Sequence, residues 1–270
     1  MAQAALPLGV NVAGYLDATV GVGESARNVA AALEAAGVAV APLPLSSRGT
    51  ERARPITRGA PVHPVTIVCA NPAGMTGARD ELGAAAFQDR YVIGMWWWEV
   101  AALPARWLRA FDLVDEIWVG SRFVADVFSA VSPVPVVHVP QPVSEPVASR
   151  VGRAELGLPT DRFLFGFVFD YASVAQRKNP VGLVEAFRRA FPPGDDGAGL
   201  VVKTLNADRD PRYHAQLLAL AEGHPGVTII DAHLSAEDKN ALIRALDCYA
   251  SLHRSEGFGL TIAESAQSTG

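Results

Sequence analysis

The sequence predicts an α/β protein of two consecutive βαβ domains. Three observations carry this reading: short apolar runs alternate with longer segments of helical period, the rhythm restarts after residue 160, and a proline-rich stretch separates the two series. At ~100–200 residues per domain, a chain of 270 residues accommodates two. The boundary is expected near residue 145, giving domains 1–145 and 146–270. In the first half, strands are expected at Leu8–Ala13, Val65–Ala70, Tyr91–Met95, Glu116–Val119 and Val134–Val139. Between the first two, Ala26, Val29, Ala30 and Leu33 fall on one face of a helix over Glu24–Ala36, with Gly37 as its stop. A helix over Phe123–Val131 is opened by Ser121 in a capping position. Arg48–Pro64, rich in Arg, Gly and Pro, reads as an irregular excursion. Pro140–Pro159 reads as the linker, with a short helix at Arg153–Leu156. In the second half, strands are expected at Phe163–Phe169, Leu200–Leu205, Val227–Ile230 and Cys248–Leu252. Helices are expected at Pro180–Phe191, Arg212–Glu222 and Ala236–Leu246, and a last one opens near Leu260.

Composition narrows the class further. Half the residues are hydrophobic and 19% are charged, which is globular composition rather than disorder. The net charge of -5 gives no general attraction for a polyanion, so nucleic acid is not an expected partner. No run reaches the ~18 apolar residues of a membrane span; the most apolar window, Tyr91–Trp98, is stopped by Glu99. No basic-then-apolar opening of the secretory type is seen. Cys69 and Cys248, far apart within apolar runs, are expected to be buried thiols in a reducing cytoplasm rather than a disulfide or metal pair.

Two segments of the second half carry most of the chemistry. His253-Arg254-Ser255-Glu256-Gly257-Phe258-Gly259-Leu260 runs from a predicted strand into a predicted helix that reaches Glu264. Ligands of open α/β sheets bind beyond the carboxyl ends of the strands. Gly257 and Gly259 allow close backbone approach, free amides at the helix start suit anionic oxygen, and two carboxylates suit paired hydroxyls. The bland alternative for Glu256 and Glu264 is favourable placement near a helix dipole. The second segment, Gln176-Arg177-Lys178-Asn179-Pro180, sets two cations beside a helix start with Pro180 at its first position; an anion would justify charges that oppose the dipole there, and a solvated basic turn would also explain them. In the first half, Gly21-Val22-Gly23 precedes the first helix. It is only a fragment of a dinucleotide fingerprint, since Ala26 stands at the third glycine position. Trp96, Trp97 and Trp98 are expected to close a core, with Glu99 at the end of that strand facing a ligand cleft or capping a turn. His138 is expected to pack within its strand, and His233 is divided between a turn and a ligand role.

The run Glu256-Gly-Phe-Gly-Leu through Glu264 resembles the Glu-x7-Glu motif of glycosyltransferase family 4, retaining enzymes of the GT-B fold. The glycine loop at Gly21–Gly23, Asp115–Ser121, Trp96–Glu99 and Lys178-Asn179-Pro180 leading into Leu183–Phe187 extend the resemblance over nearly the whole chain. It implies a GT-B-like fold, with two Rossmann-like domains facing a cleft. It implies transfer of a sugar from a UDP- or GDP-linked donor to an acceptor hydroxyl, with retention, in polysaccharide or glycoconjugate biosynthesis. Lys178 would stabilise the donor diphosphate, Glu256 and the Gly257–Leu260 backbone (Gly257, Phe258, Gly259, Leu260) would hold sugar and phosphate, and Glu264 would bind ribose hydroxyls. Gly21 and Gly23 would keep the first-domain wall close to the phosphates. Where many members carry a second phosphate-binding arginine, this sequence has Ser173, leaving Arg177 and Arg254 as replacements. Members usually continue beyond the point where this chain stops, six residues after Glu264, so an incomplete donor domain is expected, either as part of a longer protein or in a naturally shortened relative, and these residues alone are not expected to be fully active. No protein nucleophile and no metal are expected. The acceptor is expected to be a carbohydrate or a lipid-linked one. The location is expected to be the cytoplasm, with peripheral contact at the inner membrane going with the resemblance, although no strongly basic amphipathic helix stands in the sequence. Two other readings stay open: a sugar-nucleotide epimerase of the same fold, and a module that binds nucleotide-sugar or glycan without turnover.

Overall fold

A computed structural model describes residues 6–47, 55–144 and 151–268. These residues fall into two compact units, one reaching Ser144 and taking in Glu256–Phe258, the other running to Ser255 and resuming at Gly259.

The first unit is a six-stranded parallel sheet of β1 (Val10–Gly14), β2 (Val40–Pro44), β3 (Val65–Cys69), β4 (Tyr91–Trp96), β5 (Glu116–Val119) and β6 (Val136–His138), in spatial order β2-β1-β3-β4-β5-β6. Successive side chains enter opposite layers, as the pleat requires. Val12, Ile67, Ile93 and Met95 pack on one side, against Ala26 and Val29 of α1 (Gly21–Ala35). Ala13, Val68, Val92 and Trp96 pack on the other, with Met75 of α2 (Pro72–Leu82) and Val124 and Phe128 of α3 (Arg122–Ser129). The expected apolar face of the first helix is therefore correct, and Gly37, at φ +76°, follows its last turn. Ser121 caps α3 as expected, accepting from the Val124 amide at 3.3 Å. Trp96 and Trp97 are buried, and the Trp97 indole donates to Gln141 at 2.6 Å.

Several expectations need correction. Strand β2 was not foreseen because Pro42 and Pro44 argue against a strand; it lies at the sheet edge, where a missing N–H leaves no partner unsatisfied. His138 is exposed, since β6 is the other edge strand and its outer surface is uncovered. The first residues of the expected linker are anchored: the Gln141 amide donates to Ser25 at 2.7 Å, and Asn28 donates to the Pro142 carbonyl at 3.3 Å. Residues 145–150 of that linker and 48–54 of the irregular excursion lie outside the described residues. Arg153–Leu156 is a turn rather than a helix. Cys69 is buried, and burial pushes its thiol up to about 12; Cys248 is only partly buried, at the edge of its sheet.

The second unit holds β7 (Phe163–Val168), α4 (Ala175–Lys178), α5 (Pro180–Ala190), β8 (Ala198–Thr204), α6 (Pro211–Glu222), β9 (Val227–Asp231), α7 (Ala236–Arg244), β10 (Cys248–Tyr249) and α8 (Leu260–Ser268). Its parallel sheet runs β10-β7-β8-β9. Phe167, Leu200 and Val202 pack with Val184 and Phe187 of α5 and Leu217 of α6. Val201 and Leu164 pack on the opposite layer with Leu242 of α7 and Leu246.

Asp247 ties this unit together, accepting from the Leu164 amide at 2.7 Å and the Arg153 guanidinium at 2.6 Å. The Leu164 hydrogen bond lowers its carboxyl pKa below 3.8, with Arg153 reinforcing it against the opposing effect of burial. A folded pKa below the unfolded one means the stabilisation is present above 3.8 and lost as pH falls through the folded value. Asp247→Asn is thus expected to be less stable than the native protein at neutral pH, with the gap closing in acid. Urea unfolding across pH, followed by circular dichroism, checks this; a gap that stays constant refutes it.

Candidate functional site

At the carboxyl end of β7 the chain turns through Asp170, whose carboxylate accepts from the Ala172 amide and the Asn206 side chain. Tyr171 is buried there; its hydroxyl meets His214 at 3.1 Å, and burial raises its phenol well above the ordinary range. Arg177 and Lys178 then close α4, which ends at Asn179 in left-handed conformation, φ 56°. The expected placement of both cations just before a helix that opens with Pro180 is therefore correct, and the one-turn helix that carries them was not foreseen. They end a one-turn helix and directly precede α5, which begins at Pro180.

This basic segment is laced to the segment entering the tail motif. The Arg254 amide donates to the Arg177 carbonyl at 2.8 Å, and the Arg177 guanidinium donates to the Ser255 carbonyl at 2.9 Å. Asn179 donates to the Leu252 carbonyl and accepts from the Arg254 guanidinium at 3.2 Å. Gly182 makes room for that amide: a Cβ there would lie 2.7 Å from it. Arg177 is accordingly engaged as a clamp, Lys178 is half-buried at the end of α4, and Arg254 is exposed. The ring of His253 packs edge-on against Phe167 at 5.4 Å.

The glycines of the tail motif are explained by backbone geometry. The Gly257 carbonyl accepts from Ser121 at 2.6 Å, and a Cβ on Gly257 would meet the Trp98 carbonyl at 2.7 Å. Phe258 joins the Val12–Met95 layer of the first unit, and Glu256 accepts from the Gly257 amide at 3.1 Å. Gly259, at φ +84°, leads into α8, and its carbonyl accepts from Ile262 and Ala263. Leu260 opens that helix and is half-buried. One turn on, Glu264 accepts from Lys239 at 2.8 Å through Oε1, while its Oε2 is buried and has no hydrogen-bond partner among the described residues. A carboxylate so placed is an acceptor awaiting a donor.

In the first unit, Gly21 is exposed and has open space around it. Gly23 is obligatory, since a Cβ would lie 2.5 Å from the Tyr15 carbonyl. The residue before α1 is Val20, which supplies no side-chain cap to the first amides. A cavity of about 550 Å³ lies in this unit, lined by Tyr15, Ser46, Gly74, Gly77, Asp80 and Glu81 among others. In the second unit, a cavity of about 260 Å³ opens beyond β8 and β9, lined by residues including Asn206, Asp208, Asp231 and His233. Among the described residues, no three His, Cys, Asp or Glu side chains gather into a metal-ligand set.

Sequence reasoning overlooked Lys239 and Lys203, and it quoted Asn179 within its segment without foreseeing its role. An Asn before Pro was a usable sign of a left-handed helix junction. A lysine inside the apolar run Leu-Val-Val-Lys was a sign of an unusual buried charge. Nothing in the sequence singled out Lys239, whose role comes from the packing of α7 against α8.

No family model and no curated protein sequence matches the chain. Solved structures do. The chain is similar to Anabaena Alr3699/HepE, solved with UDP and glucose, at a TM-score of 0.66 and 13% identity over 97% of this chain and 79% of that one. It is similar to the pneumococcal O-GlcNAc transferase GtfA, solved with UDP and GlcNAc, at a TM-score of 0.50 and 13% identity over 76% of this chain and 40% of that one. It is also similar to the α,α-trehalose 6-phosphate synthase of Burkholderia multivorans, at a TM-score of 0.50 and 14% identity, covering 76% and 54%. The fold is that of the GT-B glycosyltransferases.

Proposed function

We propose that this protein is a retaining glycosyltransferase of the family 4 type, moving a sugar from a nucleoside-diphosphate sugar to an acceptor hydroxyl in polysaccharide or glycoconjugate synthesis. One observation carries the reading: the 177–179 segment is hydrogen-bonded to 252–255, directly before a glycine-led helix whose Glu264 keeps an unpartnered buried oxygen. Cation, backbone amides and carboxylate are the chemistry that a diphosphate-linked carbohydrate needs. Alr3699/HepE, solved also with UDP-glucose, supports a uridine donor; a guanosine donor remains the second candidate.

In this reading Lys178 holds the diphosphate and stabilises the charge that grows on it as the sugar departs with oxocarbenium character. One preorganised contact of this kind contributes about 2.7–4 kcal/mol to the transition state. The amides of the Gly257–Leu260 turn and Glu256 hold phosphate and sugar, Glu264 Oε2 accepts from a ribose hydroxyl, and Gly21 and Gly23 keep the first turn of α1 free of side chains. Arg254 supplies the second cation, and Arg177 keeps its segment in place. The leaving phosphate helps deprotonate the acceptor hydroxyl, so no protein nucleophile and no metal take part. The acceptor is a carbohydrate or a lipid-linked one, and the reaction is cytoplasmic, with loose contact at the membrane surface. No helix among the described residues is long and apolar enough to cross a membrane.

A panel of UDP- and GDP-sugars with carbohydrate acceptors, in excess EDTA, tests this. A new glycoside of retained configuration together with free nucleoside diphosphate is the expected result. Binding without turnover identifies a recognition module instead, and turnover only with added Mg²⁺ or Mn²⁺ overturns the metal-free mechanism.

A further inference from the structure

Strand β8 carries a lysine where the sheet is otherwise apolar. Lys203 is 4% exposed, and its registered neighbours are Val168 on β7 and Ile230 on β9. Alternation along the strand sets it on the same layer as Val201, the layer covered by Leu242 of α7. No hydrogen bond or ion pair reaches its ammonium from the described residues. Burial lowers its pKa, Asp170 and Asp231 at the ends of the neighbouring strands counteract that, and Lys239 adds to the lowering. A lysine stem sunk in a sheet layer needs no charged tip to pack there, and an apolar side chain of similar volume is commonly neutral or stabilising in its place. The Lys203 stem is thus buried in the layer, while its ammonium is placed under the influence of Asp170 and Asp231 at the carboxyl end of the sheet.

An unsatisfied group lies on the same side of the unit. Lys239 of α7, close enough to repel Lys203, is bound to Glu264 Oε1, while Glu264 Oε2 is buried without a donor. Lys239 thus stands near both Lys203 and an acceptor lacking a donor. Just past Lys203 the chain enters the cavity beyond β8 and β9, at Leu205 and Asn206. That is the end of the sheet where open α/β proteins bind ligands.

We propose that Lys203 is a nucleotide-binding residue whose ammonium donates to an oxygen acceptor of the donor nucleotide, while Glu264 Oε2 accepts from a hydroxyl of the same molecule. The assignment rests on the donor-site reading above and adds a residue to it. The acceptor oxygen belongs to the base or to a phosphate, and the nucleoside arm of the test separates the two.

Calorimetric titration of the native protein, Lys203→Met and Lys203→Gln with UDP, GDP, uridine and guanosine tests it, with melting temperatures measured in parallel. Lys203→Met is expected to melt at or above the native temperature while its nucleotide affinity falls about ten- to a hundredfold. Lys203→Gln, which keeps a neutral donor of similar length, is expected to retain part of the affinity. A loss seen with the nucleoside as well as the nucleotide assigns the contact to the base; a loss confined to the nucleotide assigns it to phosphate. Native protein that binds neither UDP nor GDP defeats the donor-site reading and this inference with it. Native protein that binds, with folded variants binding equally well, defeats this inference alone. Should Lys203→Met fail to fold, Lys203→Gln decides by the same comparison.

Discussion

Lys178→Ala is expected to slow sugar transfer by about 10²–10³-fold, the loss seen when one preorganised donor to a developing negative charge is removed. The effect belongs in the chemical step, because the charge on the leaving diphosphate is larger in the transition state than in the bound donor. The buried contact that holds α4 is Ala175, and Lys178 itself is only half-buried, so the variant should keep its fold. Arg177→Ala makes an instructive contrast. Its guanidinium is bound to the Ser255 carbonyl, so its removal loosens the segment that presents the tail motif and lowers stability and activity together. Arg58→Ala serves as the control: it contacts the Pro44 carbonyl and Glu81 in the first unit and should leave nucleotide affinity unchanged. Initial rates with saturating donor, beside calorimetric affinities, check all three. A Lys178→Ala enzyme within threefold of the native rate, about 0.65 kcal/mol of barrier, removes Lys178 from the reaction.

The sheets were legible in the sequence because buried parallel strands are apolar on both faces, as Val65–Cys69 and Phe163–Val168 show. Where a strand breaks that chemistry the sequence misleads: Val40–Pro44 pairs at an edge despite two prolines. Helix α2 was missed because Gly74 and Gly77 lower its propensity and its apolar face is reduced to Met75 and Ala78. In the site, the glycines were readable because they answer backbone demands, a close carbonyl at Gly257 and a positive φ at Gly259. The lacing of the two segments was not. It runs largely through the carbonyls of Arg177, Leu252 and Ser255, groups every residue carries, so no residue pattern announces it. The partner of Glu264 was hidden for a different reason: Lys239 lies 25 residues away on another helix, and only tertiary packing brings them together.

Trp96→Ala is expected to be the most destabilising single change in the first unit, costing about 3–5 kcal/mol. The indole is fully buried, 5.4 Å from both Phe111 and Phe128, and these three rings join β4 to the segments that cover it. Gly94 belongs to the same arrangement, since a Cβ there would lie 2.5 Å from the indole nitrogen. That nitrogen has no hydrogen-bond partner among the described residues, so part of the burial gain is offset by an unsatisfied donor. Trp96→Phe should therefore cost far less than Trp96→Ala: it keeps an aromatic ring between Phe111 and Phe128 and removes the orphaned N–H, leaving only a small void. Intrinsic fluorescence is the right probe, because all five tryptophans (Trp96, Trp97, Trp98, Trp107 and Trp118) lie in the first unit. A urea transition followed by tryptophan emission reports that unit, while circular dichroism reports both. For Trp96→Ala the emission transition should move to lower urea and separate from the later part of the dichroism curve, which reflects the second unit and stays near its native midpoint. If both curves shift together by the same amount, the two units unfold as one and the cost belongs to the whole chain. If the alanine variant loses less than about 1 kcal/mol, below the cavity-forming range, the aromatic triad is not what holds this layer together.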